Sequence, residues 1–205
     1  RALPRWTWFI QPAIAGLLIA GIATVFPQIT GAGYEFIDAA MHDRFTWQVL
    51  GVLTLLKIVA TVLSFSSGTP GGLFAPTLFI GAMLGGAVCG AAREFIPSFQ
   101  GTTGAYALIG MGTMFAGIMR APFTSVFMIV EVSGNYSIAL PLMISNTIAY
   151  LVSRTYQREA IFDALAAQDG LTLPSMEQQR EVTVHRVEDA VEPAPVVVQA
   201  DQRVG

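Results

Sequence analysis

Ser67-Gly68-Thr69-Pro70-Gly71-Gly72-Leu73-Phe74-Ala75-Pro76-Thr77 is a glycine- and proline-rich break inside an otherwise apolar sequence. No Asp, Glu, Lys or Arg occurs between Lys57 and Arg93. Glycine lets a backbone turn sharply and come close to a ligand. Pro76 suits the first turn of a helix, where its missing N–H leaves no bond unmade. A helix starting there aims its free N–H groups and its positive dipole end back at the glycines. Irregular backbone at membrane depth persists only where protein buries it or it lines a cavity. The stretch therefore reads as an uncharged anion-binding loop inside a membrane protein.

Composition supports the membrane setting. Of 205 residues, 53% are hydrophobic and 12% charged, and mean hydropathy is +0.58. A soluble domain carries about 25% charge. The formal net charge is −3, so nucleic acid is not an expected partner, and no basic run resembles a lipid-headgroup patch. The single cysteine, Cys89, excludes an internal disulfide and a thiolate metal cluster. It lies among glycines and alanines and reads as a small packing residue. His42 and His185 are far apart in regions of different composition. No metal site and no cofactor are expected. The start at Arg1-Ala-Leu-Pro-Arg lacks the cleavage pattern of a signal peptide, and the chain reads as a piece that begins in the middle of something.

A spanning helix needs about 20 mainly apolar residues. Pro12, Pro27 and Gly31 to Gly33 punctuate the first apolar region, which predicts one helix from Ala13 to Phe26. Glu35–Arg44 is short and polar and predicts a small amphipathic helix and a loop. Trp47–Ser66 is a strong spanning candidate with Lys57 inside it. Beyond the break, Pro76–Ala92 predicts a glycine- and alanine-rich helix. Gly104–Met119, Pro122–Val132 and Ile138–Ser153 follow. Gly81, Gly85 and Gly86, with Gly110 and Gly112, read as packing residues that let helices approach closely in lipid. Several of these segments are too short to cross a bilayer upright, which favours tilted or broken helices around a midplane site. Gln168–Arg203 is polar, with Glu181–Val184 and Pro195–Val198 reading as short strands. Arg154 and Arg158 flank the last exit and favour a cytoplasmic tail.

The motifs together resemble the CLC family of chloride channels and proton/chloride antiporters. Gly72-Leu73-Phe74-Ala75-Pro76 matches that family's G-x-F-x-P filter segment, within the context Ser66–Gly71 and Phe79–Gly86. Gly110-Met111-Gly112, Arg120-Ala121-Pro122-Phe123-Thr124, Val130-Glu131-Val132 and Asn135-Tyr136 look like its later helices. Ile161-Phe162-Asp163-Ala164-Leu165, followed by Gln168-Asp169-Gly170, resembles its last membrane helix. The match covers residues 10 to 170, and the tail resembles the opening of a CBS domain.

The resemblance implies an all-α, multi-pass integral membrane protein: the carboxy-terminal, inverted-repeat half of such a transporter over residues 1–168, with a polar linker and truncated CBS-like start over 169–205. It implies chloride as the substrate, surrounded by membrane lipid. The backbone N–H groups of Leu73 and Phe74 would bind a central chloride, and Phe74 with Ala75 would face an outer site. Gly72 and Pro76 would shape that backbone. A lysine fixed on the ion would hold it too tightly, whereas amides and helix ends bind it moderately, as conduction requires. Phe162 occupies the position where the family usually places a tyrosine hydroxyl on the ion, and it offers no donor. The family's G-S-G-I-P and G-[KR]-E-G-P segments are missing. They belong to an amino-terminal half, which is expected as a partner of this one. The helices at 122–132 and 138–153 resemble the family's homodimer interface, with core packing as the alternative.

Glu131 lies in an apolar run, and an intramembrane carboxylate is a functional hypothesis by default. It is read here as a structural acid near a helix end, with a proton-linked role as the alternative. On one continuous helix Arg120 and Glu131 would stand about 16 Å apart and could not pair. Lys57 is expected to snorkel to an interface and serve structure. Trp6, Trp8 and Trp47 read as interfacial anchors, and Ser125 and Thr124 as caps or packing groups. An enzyme is not expected. The chain has no G-x-x-x-x-G-K-[ST] sequence and no nucleophile–base set in its apolar region. The competing class is a non-transporting fragment or regulatory half-subunit acting through dimer contacts and a partial CBS tail.

Overall fold

Long apolar segments satisfy their backbone internally as helices, and helices account for most of the described chain. The computed structural model describes residues 7–69, 71–157 and 160–168. The helices are α1 (Thr7–Val25), α2 (Tyr34–Met41), α3 (Trp47–Ser66), α4 (Phe74–Phe95), α5 (Thr103–Met119), α6 (Pro122–Ser133), α7 (Ala139–Tyr156) and α8 (Ile161–Gln168). Single 3-10 turns at Pro27–Ile29 and Tyr136–Ile138 precede α2 and α7. The described residues up to Ile161 form one compact unit, and the described residues from Phe162 belong to a second. The tail strands expected at 181–184 and 195–198 lie outside the described residues. Among the described residues, three stretches are long and apolar enough to cross a membrane, α3 and α4 among them; α5 and α6 are shorter apolar helices.

Three expectations are corrected. α1 starts before Pro12 rather than after it. The proline removes one backbone bond, and apolar surroundings favour keeping the remaining helical bonds. α4 begins at Phe74, two residues before Pro76, so the proline sits in the first turn. Arg120 and Glu131 do not share a helix. Arg120 ends α5 in the left-handed region, with φ 56° and ψ 33°, and Pro122 opens α6.

α4 is central, packed against α2, α3 and α5. Its inward face carries Phe79, Met83, Ala82 and Cys89, none of them exposed. Gly81 and Gly85 lie one turn apart. A Cβ at Gly81 would strike the Gly110 carbonyl oxygen, and one at Gly85 the Tyr106 carbonyl oxygen. The close-packing reading of these glycines holds, because only glycine allows the two backbones this approach.

Hydroxyl groups tie α5 to its neighbours. Ser125 is a cross-link rather than a cap: its Oγ donates to the Gly112 carbonyl at 2.7 Å. Ser153 Oγ donates to the Gly117 carbonyl at 2.6 Å, and the Thr113 and Ser145 hydroxyls pair at 2.6 Å. Ser125 is fully buried, and Ser125→Val would remove this second bond while the Gly112 carbonyl keeps its helical one within α5. The expected loss is about 0.5–1.5 kcal/mol, read as a lowered thermal midpoint in detergent. An unchanged midpoint would mean that the helical bond alone satisfies the carbonyl.

At the α2–α3 corner, Asp43 holds three elements together. The Thr103 hydroxyl donates to its carboxylate, and Arg93 Nη1 donates to the two oxygens at 3.2 and 3.4 Å. The Thr103 bond, helped by the bond and charge of Arg93, holds the carboxyl below the usual aspartate range against slight desolvation. A depressed folded-state value means the unfolded chain takes up the proton first as pH falls. The stabilisation is therefore complete above about pH 5 and fades below about pH 4. Thermal midpoints should fall in that window for the wild type and less steeply for Asp43→Asn. Equal acid slopes would assign the loss to other carboxylates.

Candidate anion site at the amino terminus of α4

α3 stops where its polar end consumes its own backbone. Ser67 Oγ donates to the Ser64 carbonyl at 2.7 Å and pairs with the Thr69 hydroxyl at 2.8 Å. Gly68 turns the chain at φ +74°, a conformation that glycine adopts without strain. Gly71 and Gly72 are exposed, and nothing lies within 4 Å of a Cβ built on either. The backbone before α4 is thus open to approach.

Leu73 then enters the helix. Its carbonyl accepts the Thr77 amide at 3.1 Å and the Thr77 hydroxyl at 2.6 Å. This double bond to one acceptor fixes the first turn. The amides of Leu73, Phe74 and Ala75 are the ones a helix start leaves without intrahelical partners, and Pro76 contributes no fourth. They point out of the amino-terminal end together with the positive end of the macrodipole. Phe74 is braced by an edge-on contact to Phe115 of α5, with ring centroids 5.5 Å apart. Five of the six expected site residues, Gly72, Leu73, Phe74, Ala75 and Pro76, therefore form one continuous loop and helix start. An anion is the chemical partner that such a terminus favours.

The sixth, Phe162, lies in the first turn of α8 and is exposed. It belongs to the second unit. Glu131 is exposed near the end of α6, with no hydrogen bond or ion pair among the described residues. The expected backbone or arginine partner is not found there. Arg120 instead donates to the Gln157 carbonyl. Trp47 does act at a helix end: its indole N–H donates to Glu94 and its ring meets Phe95 edge-on.

Lys57 overturns the snorkelling expectation. It is 4% exposed, and Nζ donates to the carbonyls of Ile29 at 2.7 Å and Gly31 at 2.8 Å. No sequence pattern marks this contact, because its partners lie 26 and 28 residues away. A separate groove of about 600 Å³, bordered by Leu84 and Val88 of α4, Ile109 of α5 and Val152 of α7, includes none of residues 72–76.

Fold and site define a class: a helical membrane protein whose irregular, uncharged loop presents backbone amides at a helix start. The comparisons name the family. The model of the voltage gated chloride channels matches residues 1–154, and the chain belongs to that family. The H(+)/Cl(-) exchange transporter ClcA of Vibrio campbellii is 33% identical over 161 residues, 78% of this chain and 34% of that protein. The crystal structure of a slow cyanobacterial Cl−/H+ antiporter matches with a TM-score of 0.72 at 26% identity, covering 82% of this chain and 39% of that one. The chain thus spans somewhat more than a third of the length of these relatives.

Proposed function

We propose that this chain supplies one wall of a chloride pathway across a membrane, as part of a CLC-type channel or proton-coupled antiporter. The observation that carries the reading is the start of α4. There, the open backbone of Gly71 and Gly72 meets the first-turn amides of Leu73, Phe74 and Ala75, which have no acceptor within the helix. Chloride sheds part of its water and takes these N–H dipoles in exchange. Their partial charges bind it moderately and let it leave. Gly72 keeps the approach open, and Pro76 opens the helix without a competing donor; Phe162 is, by the family resemblance alone, the position of a tyrosine hydroxyl on the ion, and it offers a ring without a donor. Glu131 is a structural acid in this reading. The relatives named above are transporters, and the chemistry proposed here is transport rather than catalysis.

The apolar outer faces of α6 and α7, including Phe123, Phe127, Leu140 and Ile144, are exposed. They support a homodimer contact through these helices. The polar tail over 169–205, with its expected CBS-like start and cytoplasmic side, lies outside the described residues. Chloride efflux from liposomes tests the reading. A polypeptide joining this chain to an amino-terminal half with the G-S-G-I-P and G-[KR]-E-G-P segments, here the full-length polypeptide, is expected to release chloride selectively, and the 205-residue chain alone to release none, because it offers ligands from one wall only. Absence of flux from the full-length polypeptide would favour the regulatory half-subunit. Robust flux from the short chain would show that one wall suffices.

A further inference from the structure

Lys57 is the buried ionisable side chain among the described residues, and its surroundings fit an ammonium. Two N–H groups go to the carbonyls of Ile29 and Gly31. The nitrogen also sits 4.8 Å from the centroid of the Phe79 ring. An ammonium has three N–H groups for two carbonyls and a ring face, whose electron-rich side attracts a cation. A neutral amine would turn a lone pair toward that same negative face. No carboxylate pairs with Lys57 among the described residues. As an ammonium, Lys57 holds a positive charge without a countercharge inside an apolar bundle. Burying an unpaired charge is expensive, and two carbonyl dipoles and a ring offset only part of that cost.

The position of the charge is specific. Phe79 lies on α4, five residues after Phe74. Its ring is wedged so tightly that a Cβ on Gly33 would come within 2.5 Å of it. At 1.5 Å per residue, Phe79 stands about 7.5 Å along the helix from Phe74, so the ammonium lies on the order of 10 Å from the first-turn amides. No other Asp, Glu, Lys or Arg follows in the sequence until Arg93.

We infer that Lys57 sets the anion affinity of the α4 amino terminus from a distance, as a fixed buried charge that never touches the ion. The inference rests on the anion-site reading above and adds a residue to it. A lysine on the ion would trap it. Set back by on the order of 10 Å, at an effective dielectric of about 20, the same charge favours an anion by about tenfold.

Calorimetric titration of the full-length polypeptide with chloride tests this. Lys57→Met is expected to weaken binding about tenfold, and Lys57→Arg, which keeps the charge, to stay within about twofold of wild type. Phe79→Leu keeps the charge and loosens the wedge. It should lower the thermal midpoint while leaving chloride affinity within about twofold. Wild-type affinity in Lys57→Met, or an equal loss in Phe79→Leu, would overturn the inference while leaving the anion site standing. Absence of binding in the wild type would remove the site and the inference together. Should Lys57→Met fail to fold, Lys57→Gln, neutral but still a donor, takes its place. If both neutral variants fail while Lys57→Arg folds, the charge serves the fold and the inference is overturned.

Discussion

Gly85→Leu is expected to force α4 away from α5 and to destabilise the bundle by about 3 kcal/mol or more. A Cβ at this position meets the Tyr106 carbonyl oxygen, with the carbonyl carbon at 2.9 Å and the Ala107 Cα at 3.2 Å. All three are backbone atoms of a helix, so relief requires moving the whole element. Gly110 faces the same seam, where a Cβ would strike the Gly81 carbonyl and stand 3.0 Å from the Gly85 Cα. Alanine at 85 should do less harm, because its helix propensity returns about 1 kcal/mol. Gly16 in α1 is the control. Nothing lies within 4 Å of its added Cβ, so Gly16→Ala should leave stability unchanged or raise it by up to about 1 kcal/mol. Thermal midpoints in detergent distinguish the cases, and a Gly85→Leu protein as stable as wild type would mean that the seam is not close-packed. The effect reaches function through the same helix: α4 carries the candidate amides at its start, so tilting it misaims them.

How much of this was legible in the sequence depends on whether the deciding contact was local. The bounds of α3 follow directly from an uninterrupted apolar run, and the start of α6 from Ala121-Pro122. The anion loop was legible because glycine, proline and the absence of charge are all written within eleven residues. The left-handed turn at Arg120 was not, since a non-glycine residue rarely adopts positive φ, although the break between Met119 and Pro122 was. Pro12 read as a helix boundary because proline breaks helices in water, whereas apolar surroundings favour keeping the other backbone bonds. The role of Lys57 depends on carbonyls more than 25 residues away. A lysine in an apolar run looks the same from sequence whether it reaches water or folds inward.

Phe162→Tyr is expected to tighten chloride binding by ten- to a hundredfold. Family resemblance places residue 162 where a hydroxyl donates to the ion, and phenylalanine supplies the ring without the donor. A hydrogen bond to a charged group is worth about 1.5–3 kcal/mol, and each 1.4 kcal/mol is about tenfold in a binding constant. The ring is 54% exposed at the start of α8, so an added hydroxyl should leave the thermal midpoint unchanged. Phe162→Leu separates the donor from the bulk. It removes no hydrogen bond, so affinity should stay near wild type, while a smaller side chain should let chloride pass the inner side faster. The tyrosine variant should show the opposite balance, with tighter binding and slower release, because conduction needs an ion that leaves as readily as it enters. Calorimetry reads the first quantity and liposome efflux the second, both in the full-length polypeptide. Equal chloride affinity in wild type and Phe162→Tyr would mean that the side chain at 162 does not reach the ion. The anion would then be held from this chain by the backbone amides of residues 73–75 alone.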